Sequence, residues 1–321
     1  MSGLTRREAA RWLKARDNFL ILTHRRPDGD TVGSAAALCL GLRKLGKKAH
    51  VLRNMEITGK YSHLHAGLNQ DCPENGDTLI SVDVASPKLL PDPVSHLARF
   101  VQLRIDHHGN DTPFAPLELV DAGAGACGEI IWDLLQELEV PMDKAIAEAI
   151  YTAVSTDTGG FRYANTTAHS FQTAAACVQA GGDIHSINQA IFETVTFAKL
   201  RLQSWMVENI RFYKEGKLAV CALPLAVERQ LGLTEDDLEN ISGFPRSIEG
   251  VRMAATLRET GDGKLKLSVR ALPGFDAAAV CAKFGGGGHK GAGGATLECA
   301  LEEAAAKVAM EMERAVDNGQ L

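Results

Sequence analysis

A chain of 321 residues is too long for one ordinary core and predicts two domains. With 45% hydrophobic and 23% charged residues it has the make-up of a folded globular protein, and no apolar run approaches the eighteen or so residues of a membrane span. The net charge of -6 argues against a general coating of long duplex DNA, which depends on neutralising many phosphates. The charge is uneven: Phe244 to Leu297 holds eight Lys and Arg against four Asp and Glu, so that stretch is +4 and the rest is -10. Such a local basic surface can hold a small anion. Seven scattered cysteines without a CxxC spacing read as reduced, mostly buried thiols.

The start, MSGLTRREAARWLKARD, is a charged amphipathic helix without an apolar core or cleavage site, and is expected to be a mature cytoplasmic N-terminus. Phe19 to Leu22 reads as a buried strand, THRRPDGDTVGS as a tight loop, and Val32 to Leu45 as a helix stopped by Gly46. Ala49 to Arg53 and Thr78 to Val82 are further strands, the second delivering Asp83. Phe100 to Ile105 is a half-apolar strand running into Asp106-His107-His108-Gly109. Helices follow at Gly128–Leu138 and Asp143–Ser155, the latter closing on Asp157, and a third at Thr166–Gln179. Residues 186–213 are expected to form a helical linker between a first domain, 1–185, and a second, 214–321. The second shows strands at Leu218–Leu223, Val251–Leu257 and Leu265–Val269, a helix at Asp276–Phe284, a glycine-rich loop from Gly285 to Gly294, and a last helix at Leu301–Val316. Both domains are therefore predicted to be α/β, the first with a mostly parallel sheet flanked by helices.

In an open α/β sheet, ligands sit at the carboxyl ends of the strands. The first domain offers His24, Asp28, Asp30, Asp83, His107 and Asp157, four of them directly after predicted strands. Oxygen and imidazole ligands without thiolate suit manganese, with magnesium as the alternative, better than a closed structural zinc site. Six ligands exceed what one such ion needs. Two ions roughly 3.5–4 Å apart and bridged by a carboxylate would use them, and would act on phosphate esters. Taken singly, each aspartate could merely cap the next helix; six in this arrangement point to a site.

His24-x-x-x-Asp28-x-Asp30, Asp83, Asp106-His107-His108 and Asp157 resemble, in order, the four motifs of the DHH phosphoesterases. FGGGGHKGAGG resembles the signature of the associated DHHA1 domain, with glycine where the family's HxxAAG has its second alanine. The resemblance spans nearly the whole chain and is closest to the nano-RNase group, which trims short oligoribonucleotides and dephosphorylates 3'-phosphoadenosine 5'-phosphate (pAp). It implies that His24 and Asp28 bind one ion, that Asp30, His107 and Asp157 bind the other, and that Asp83 bridges. It further implies that Asp106 orients the histidines and that His108 faces the substrate phosphate, and members of that family commonly use manganese.

Glycines 286, 287 and 288 let a backbone approach an anion closely, and His289 beside them, with Arg258 and Arg270 on neighbouring strands, favours anion binding. Aromatic residues are 6% of the chain and form no basic-aromatic stripe, so short single-stranded RNA or DNA oligonucleotides and pAp fit as partners better than long strands. Phe161, Tyr163 and Phe284 are base-stacking candidates, though a core position is the commoner fate of such residues. No membrane partner is expected, and a homodimer is compatible with the sequence. Two alternatives stay open: a phosphodiesterase for cyclic dinucleotides or linear pApA, and a nucleotide-binding regulator that has lost catalysis.

Overall fold

The computed structural model describes residues 3–109, 113–238 and 240–317. The chain divides after Thr194 into two compact units. In the first, the amphipathic helix α1 (Arg6–Lys14), held by a Thr5 capping box, leads into β1 (Phe19–Leu22) and α2 (Gly29–Lys44). Then come β2 (Ala49–Leu52), β3 (Asn69–Gln70), β4 (Thr78–Val82), β5 (Leu103–Asp106) and β6 (Leu117–Val120), followed by the helices α3 (Cys127–Glu137), α4 (Lys144–Asp157), α5 (Ala168–Gln179) and α6 (Ile184–Asn188).

The six strands form one wholly parallel sheet in the order β3-β2-β1-β4-β5-β6. Both faces of β1 are covered, which is why FLIL is unbroken rather than alternating. Phe19 and Ile21 join the large core under α1 to α4, whereas Leu20 and Leu22 join a smaller one on the opposite face with Val84, Leu90 and Leu97. The strand order reverses between β1 and β4, and such a reversal opens a crevice at the strands' carboxyl ends.

Helix α2 packs antiparallel on α4. A Cβ on Gly33 would lie 2.3 Å from the Ala149 carbonyl oxygen, so glycine is what permits this approach.

The second unit begins at Val195. The expected linker is not a separate element: residues 186–194 stay with the first unit, and α7 (Phe197–Asn209) buries Leu202 and Met206 in the second unit's core. After it come β7 (Arg211–Tyr213), β8 (Leu218–Leu223), α8 (Leu225–Leu231), α9 (Glu235–Leu238), β9 (Met253–Glu259), β10 (Leu265–Ala271), α10 (Ala277–Ala282), β11 (Gly287–His289), β12 (Ala292–Leu297) and α11 (Leu301–Asp317). They build a mixed sheet in the order β11-β12-β10-β9-β8-β7, parallel only between β8 and β9. The glycine-rich stretch expected as a loop is instead the edge hairpin β11–β12. Glycine is required there by packing: a Cβ on Gly293 would meet the Ala277 carbonyl oxygen at 2.8 Å and Cys281 Sγ at 2.9 Å, where α10 lies on the sheet. No helix among the described residues is long and apolar enough to cross a membrane.

Candidate active site

The chain leaves β1 through Thr23 and His24. His24 Nδ1 donates to the Arg25 carbonyl at 2.8 Å, which fixes the tautomer and directs Nε2 inward. Nε2 lies 3.7 Å from Asp28 Oδ1 and 3.6 Å from Asp83 Oδ2. Asp28 is also the N-cap of α2, accepting from the backbone N–H groups of Asp30 and Thr31 at 3.1 and 3.2 Å. The same oxygen, Oδ1, thus caps the helix and faces His24 Nε2.

One turn on, Asp30 is fully enclosed. The Ser34 hydroxyl donates to its Oδ1 at 2.9 Å, and the Gly128 and Cys127 N–H groups donate to Oδ1 at 2.9 Å and Oδ2 at 2.7 Å. The start of α3 thus presents its unpaired amides to a carboxylate, as helix N-termini favour. His107 faces the same point, with Nε2 3.8 Å from Asp30 Oδ2, 3.6 Å from Asp83 Oδ1 and 3.8 Å from Asp157 Oδ2. Its Nδ1 is set by the Ala124 carbonyl at 3.3 Å. Asp157, at the end of α4, is steadied by Asn165, whose amide donates to Asp157 Oδ2 at 3.2 Å and to the Gly125 carbonyl at 2.8 Å.

Asp83 stands between these two groups, one oxygen toward His24 and the other toward His107. Its backbone is left-handed at φ 57, an unusual state for a residue other than glycine and one common at functional sites. The six predicted residues are thus brought together as His24, Asp28 and Asp83 on one side and Asp30, His107 and Asp157 on the other. Two donors about 2.1 Å from one ion lie roughly 3–4 Å apart, and the separations here match.

Asp83 Oδ1 is buried without a hydrogen-bond partner among the described residues. Charge makes the same case. Burial pushes Asp30 well above the usual carboxylate range, and Asp83, Asp157 and Asp28 push it further. Burial likewise raises Asp83. It raises Asp157 to about 6, where His107 pulls the other way and Asp83 and Asp28 add to the rise. Burial opposes a charge on His24, but Asp28 and Asp83 outweigh it and raise its pKa to about 11. A cluster of mutually repelling buried carboxylates with an orphaned oxygen fits divalent cations.

Asp106 behaves differently. Its Oδ1 accepts from the N–H groups of His107 at 2.7 Å and His108 at 3.2 Å, and from His108 Nδ1 at 2.8 Å. It therefore orients the ring of His108, while the ring of His107 is set by Ala124. Burial would raise Asp106, yet His108 and Arg104 hold it below its ordinary value. His108 is half exposed.

In the second unit, β11, β12 and β10 place His289, Ala292 and Arg270 in one register row. Arg258 is not beside them. It pairs with Lys266, four residues along β10 from Arg270, roughly 13 Å at the usual rise. Its guanidinium is held by Glu228 at 2.9 Å and Glu235 at 2.7 Å, which makes it a structural ion pair rather than an anion receptor. Among the predicted glycines, Gly286 lies against the Gly294 carbonyl and Gly288 against Gly293, so both have packing reasons, and only Gly287 faces open space. Phe161 stacks on Phe171 with centroids 5.2 Å apart, Phe284 packs on the second unit's core, and Tyr163 is exposed beside Gly159.

The sequence reading missed Asn165 and Arg104, and held Ser34 in the THRRPDGDTVGS loop without giving it a role. Arg104 alone had left a signal, a cation inside an otherwise buried strand two residues before Asp106.

Residues 18–154 match the DHH family, N-terminal domain, and residues 216–316 match the DHHA1 domain. The chain is 32% identical over 284 residues to the bifunctional oligoribonuclease and PAP phosphatase NrnA of Thermus thermophilus, covering 87% of this chain and 83% of that protein. It is 25% identical over 295 residues to the Bacillus subtilis protein of the same name, covering 90% and 92%. Among solved structures, an exopolyphosphatase-related protein from Bacteroides fragilis shares the fold with a TM-score of 0.82 at 24% identity, over 95% of this chain and 94% of that one. RecJ from Thermus thermophilus, solved with Mn2+, matches at a TM-score of 0.54 and 18% identity, over 96% of this chain and 55% of its own. With a DHH unit carrying the clustered histidines and aspartates and a DHHA1 unit after it, the chain belongs to the DHH–DHHA1 phosphoesterase family, in its nano-RNase group.

Proposed function

We propose that the protein is a phosphoesterase that uses two divalent ions to hydrolyse short oligoribonucleotides and pAp. The observation that carries this reading is Asp83, whose two oxygens face two separate groups of ligands. His24 and Asp28 would hold one ion, Asp30, His107 and Asp157 the other, and Asp83 both. When bound, such ions activate water and neutralise charge on the reacting phosphate. The all-oxygen-and-imidazole ligand set favours manganese, with magnesium second.

The chain's own residues do the rest. Asp30 and Asp83 are walled off from solvent, so their charge acts at low dielectric. His108, with Nδ1 committed to Asp106 and its side chain about half exposed, is the group assigned to contact the phosphate or give a proton to the leaving oxygen. The names of the relatives supply the substrate class. A manganese-supplemented assay on pAp, a dinucleotide, a long oligonucleotide and pyrophosphate tests it: pAp and the dinucleotide should be turned over fastest, and preference for pyrophosphate or the long strand would overturn the assignment.

We assign recognition of the substrate's second phosphate to His289 and Arg270, with the open Gly287 beside them. His289→Ala should lower kcat/KM for pAp and dinucleotides about 10- to 100-fold, the usual worth of a hydrogen bond to a charged group. A small chromogenic phosphodiester without that second phosphate should be affected much less. Equal losses on the two would place His289 outside substrate recognition.

A further inference from the structure

Arg104 heads the largest fully buried side chains, at 1% exposure. A guanidinium is almost never enclosed in this way unless its donors are matched. Here the matching groups come from two segments of the site. Nη2 and Nε donate to Asp106 Oδ2 at 2.5 and 3.1 Å. Nε also reaches the Val84 carbonyl at 3.1 Å, and Nη2 the Ala85 carbonyl at 3.3 Å. On its outer side Nη1 lies 3.6 Å from Glu118, and the Phe114 ring sits 5.5 Å from Cζ.

Val84 and Ala85 follow Asp83 directly. The left-handed backbone at Asp83 persists only where the surroundings over-determine it. Two constraints are visible: the Asp83 N–H donates to the Ile105 carbonyl at 2.9 Å, and Arg104 ties down the next two carbonyls. On its other arm Arg104 occupies Asp106 Oδ2 and so leaves Oδ1 to the three N–H groups of His107 and His108. One planar fork thus joins the turn that aims the bridging carboxylate to the carboxylate that aims His108.

We propose that Arg104 is a positioning residue for phosphoester hydrolysis, holding Asp83 at its bridging orientation and His108, through Asp106, at its phosphate-facing one. This rests on the two-ion reading above. Only a guanidinium can serve both arms. Lysine keeps the charge but presents a single ammonium, which cannot span Asp106 and the Val84 and Ala85 carbonyls with fork geometry.

The test is Arg104→Lys, with folding checked by circular dichroism and a cooperative thermal transition. Kinetics on pAp and calorimetric titration with manganese alone then follow. We expect kcat to fall about 10- to 100-fold with KM changed less than about threefold, and manganese affinity to fall about 10- to 100-fold, as when a ligand's supporting partner is lost. A folded Arg104→Lys protein with wild-type kcat and manganese affinity, differing only in stability, would overturn the inference. If Arg104→Lys does not fold, Arg104→Met combined with Asp106→Asn removes both charges of the buried Arg104–Asp106 pair together and is compared with Asp106→Asn alone. Weaker manganese binding in the double variant supports the pinning of the Asp83 turn, and equal binding overturns it. The wild-type titration separates the two levels of the argument, because absence of tight manganese sites there would refute the two-ion reading itself.

Discussion

Asp83→Asn should leave less than about one thousandth of wild-type turnover, because in the two-ion reading one carboxylate holds both ions, and losing even a supporting partner of a ligand costs about 10- to 100-fold. The substitution changes little else. Asparagine is isosteric and tolerates the left-handed backbone at φ 57 better than most residues, so the sheet and the β4 end should persist. It also removes a charge that burial disfavours. The variant should therefore melt no earlier than metal-free wild type while binding less manganese in a calorimetric titration. Near-normal turnover at saturating manganese would show that Asp83 does not bridge.

Asp157→Asn should give the opposite signs for stability and activity. In the metal-free protein the Asp157 carboxyl is raised to about 6, against about 3.9 in an unfolded chain. A carboxylate raised in the folded state favours folding only while protonated, so its contribution is lost as pH rises from about 4 through about 6. Above that window the ionised group weakens the fold by on the order of 3 kcal/mol. Asparagine escapes this loss. Metal-free Asp157→Asn should therefore be more stable than wild type at pH 8, with the gap closing below pH 4, in urea titrations with chelator present. Turnover should fall by at least about 100-fold, since a ligand is gone. A variant less stable than wild type at pH 8 would mean that Asp157 is held by partners other than the ions.

Much of the site was legible because a parallel sheet repeats one rule: an apolar strand, then a polar turn at its carboxyl end. His24, Asp83 and His107 all obey it, and Asp157 stood out at a helix end just before Gly159-Gly160. What escaped was set by tertiary contact. The strand Leu117–Val120 carries one charge, Glu118, buries only Leu119 fully, and has no clear period. Phe100 reads as a strand start, yet it closes the short helical run Asp92–Phe100, and the strand itself begins at Leu103. The glycine tract lacks side chains to show alternation, so its pairing as a hairpin could not be seen locally. Arg104 and Arg258 make the matching pair of lessons. A lone cation in a strand can be a fully buried brace or half of a part-buried ion pair, and only the position of Asp106 in one case and of Glu228 and Glu235 in the other separates them.

Helices α2 and α4 carry the final consequence. The first begins at the site with Asp28 as its cap and Asp30 in its first turn, and the second ends there with Asp157. They touch through Gly29 against Thr156 and Gly33 against Ala149 and Ala153. The two helices work as the jaws of a calliper, and the thickness of these contacts sets the gap between Asp30 and Asp157. An ion held between Asp30 and Asp157 would then be gauged, to the few tenths of an ångström that separate magnesium from calcium, by the two hydrogen atoms that Gly29 and Gly33 carry in place of side chains.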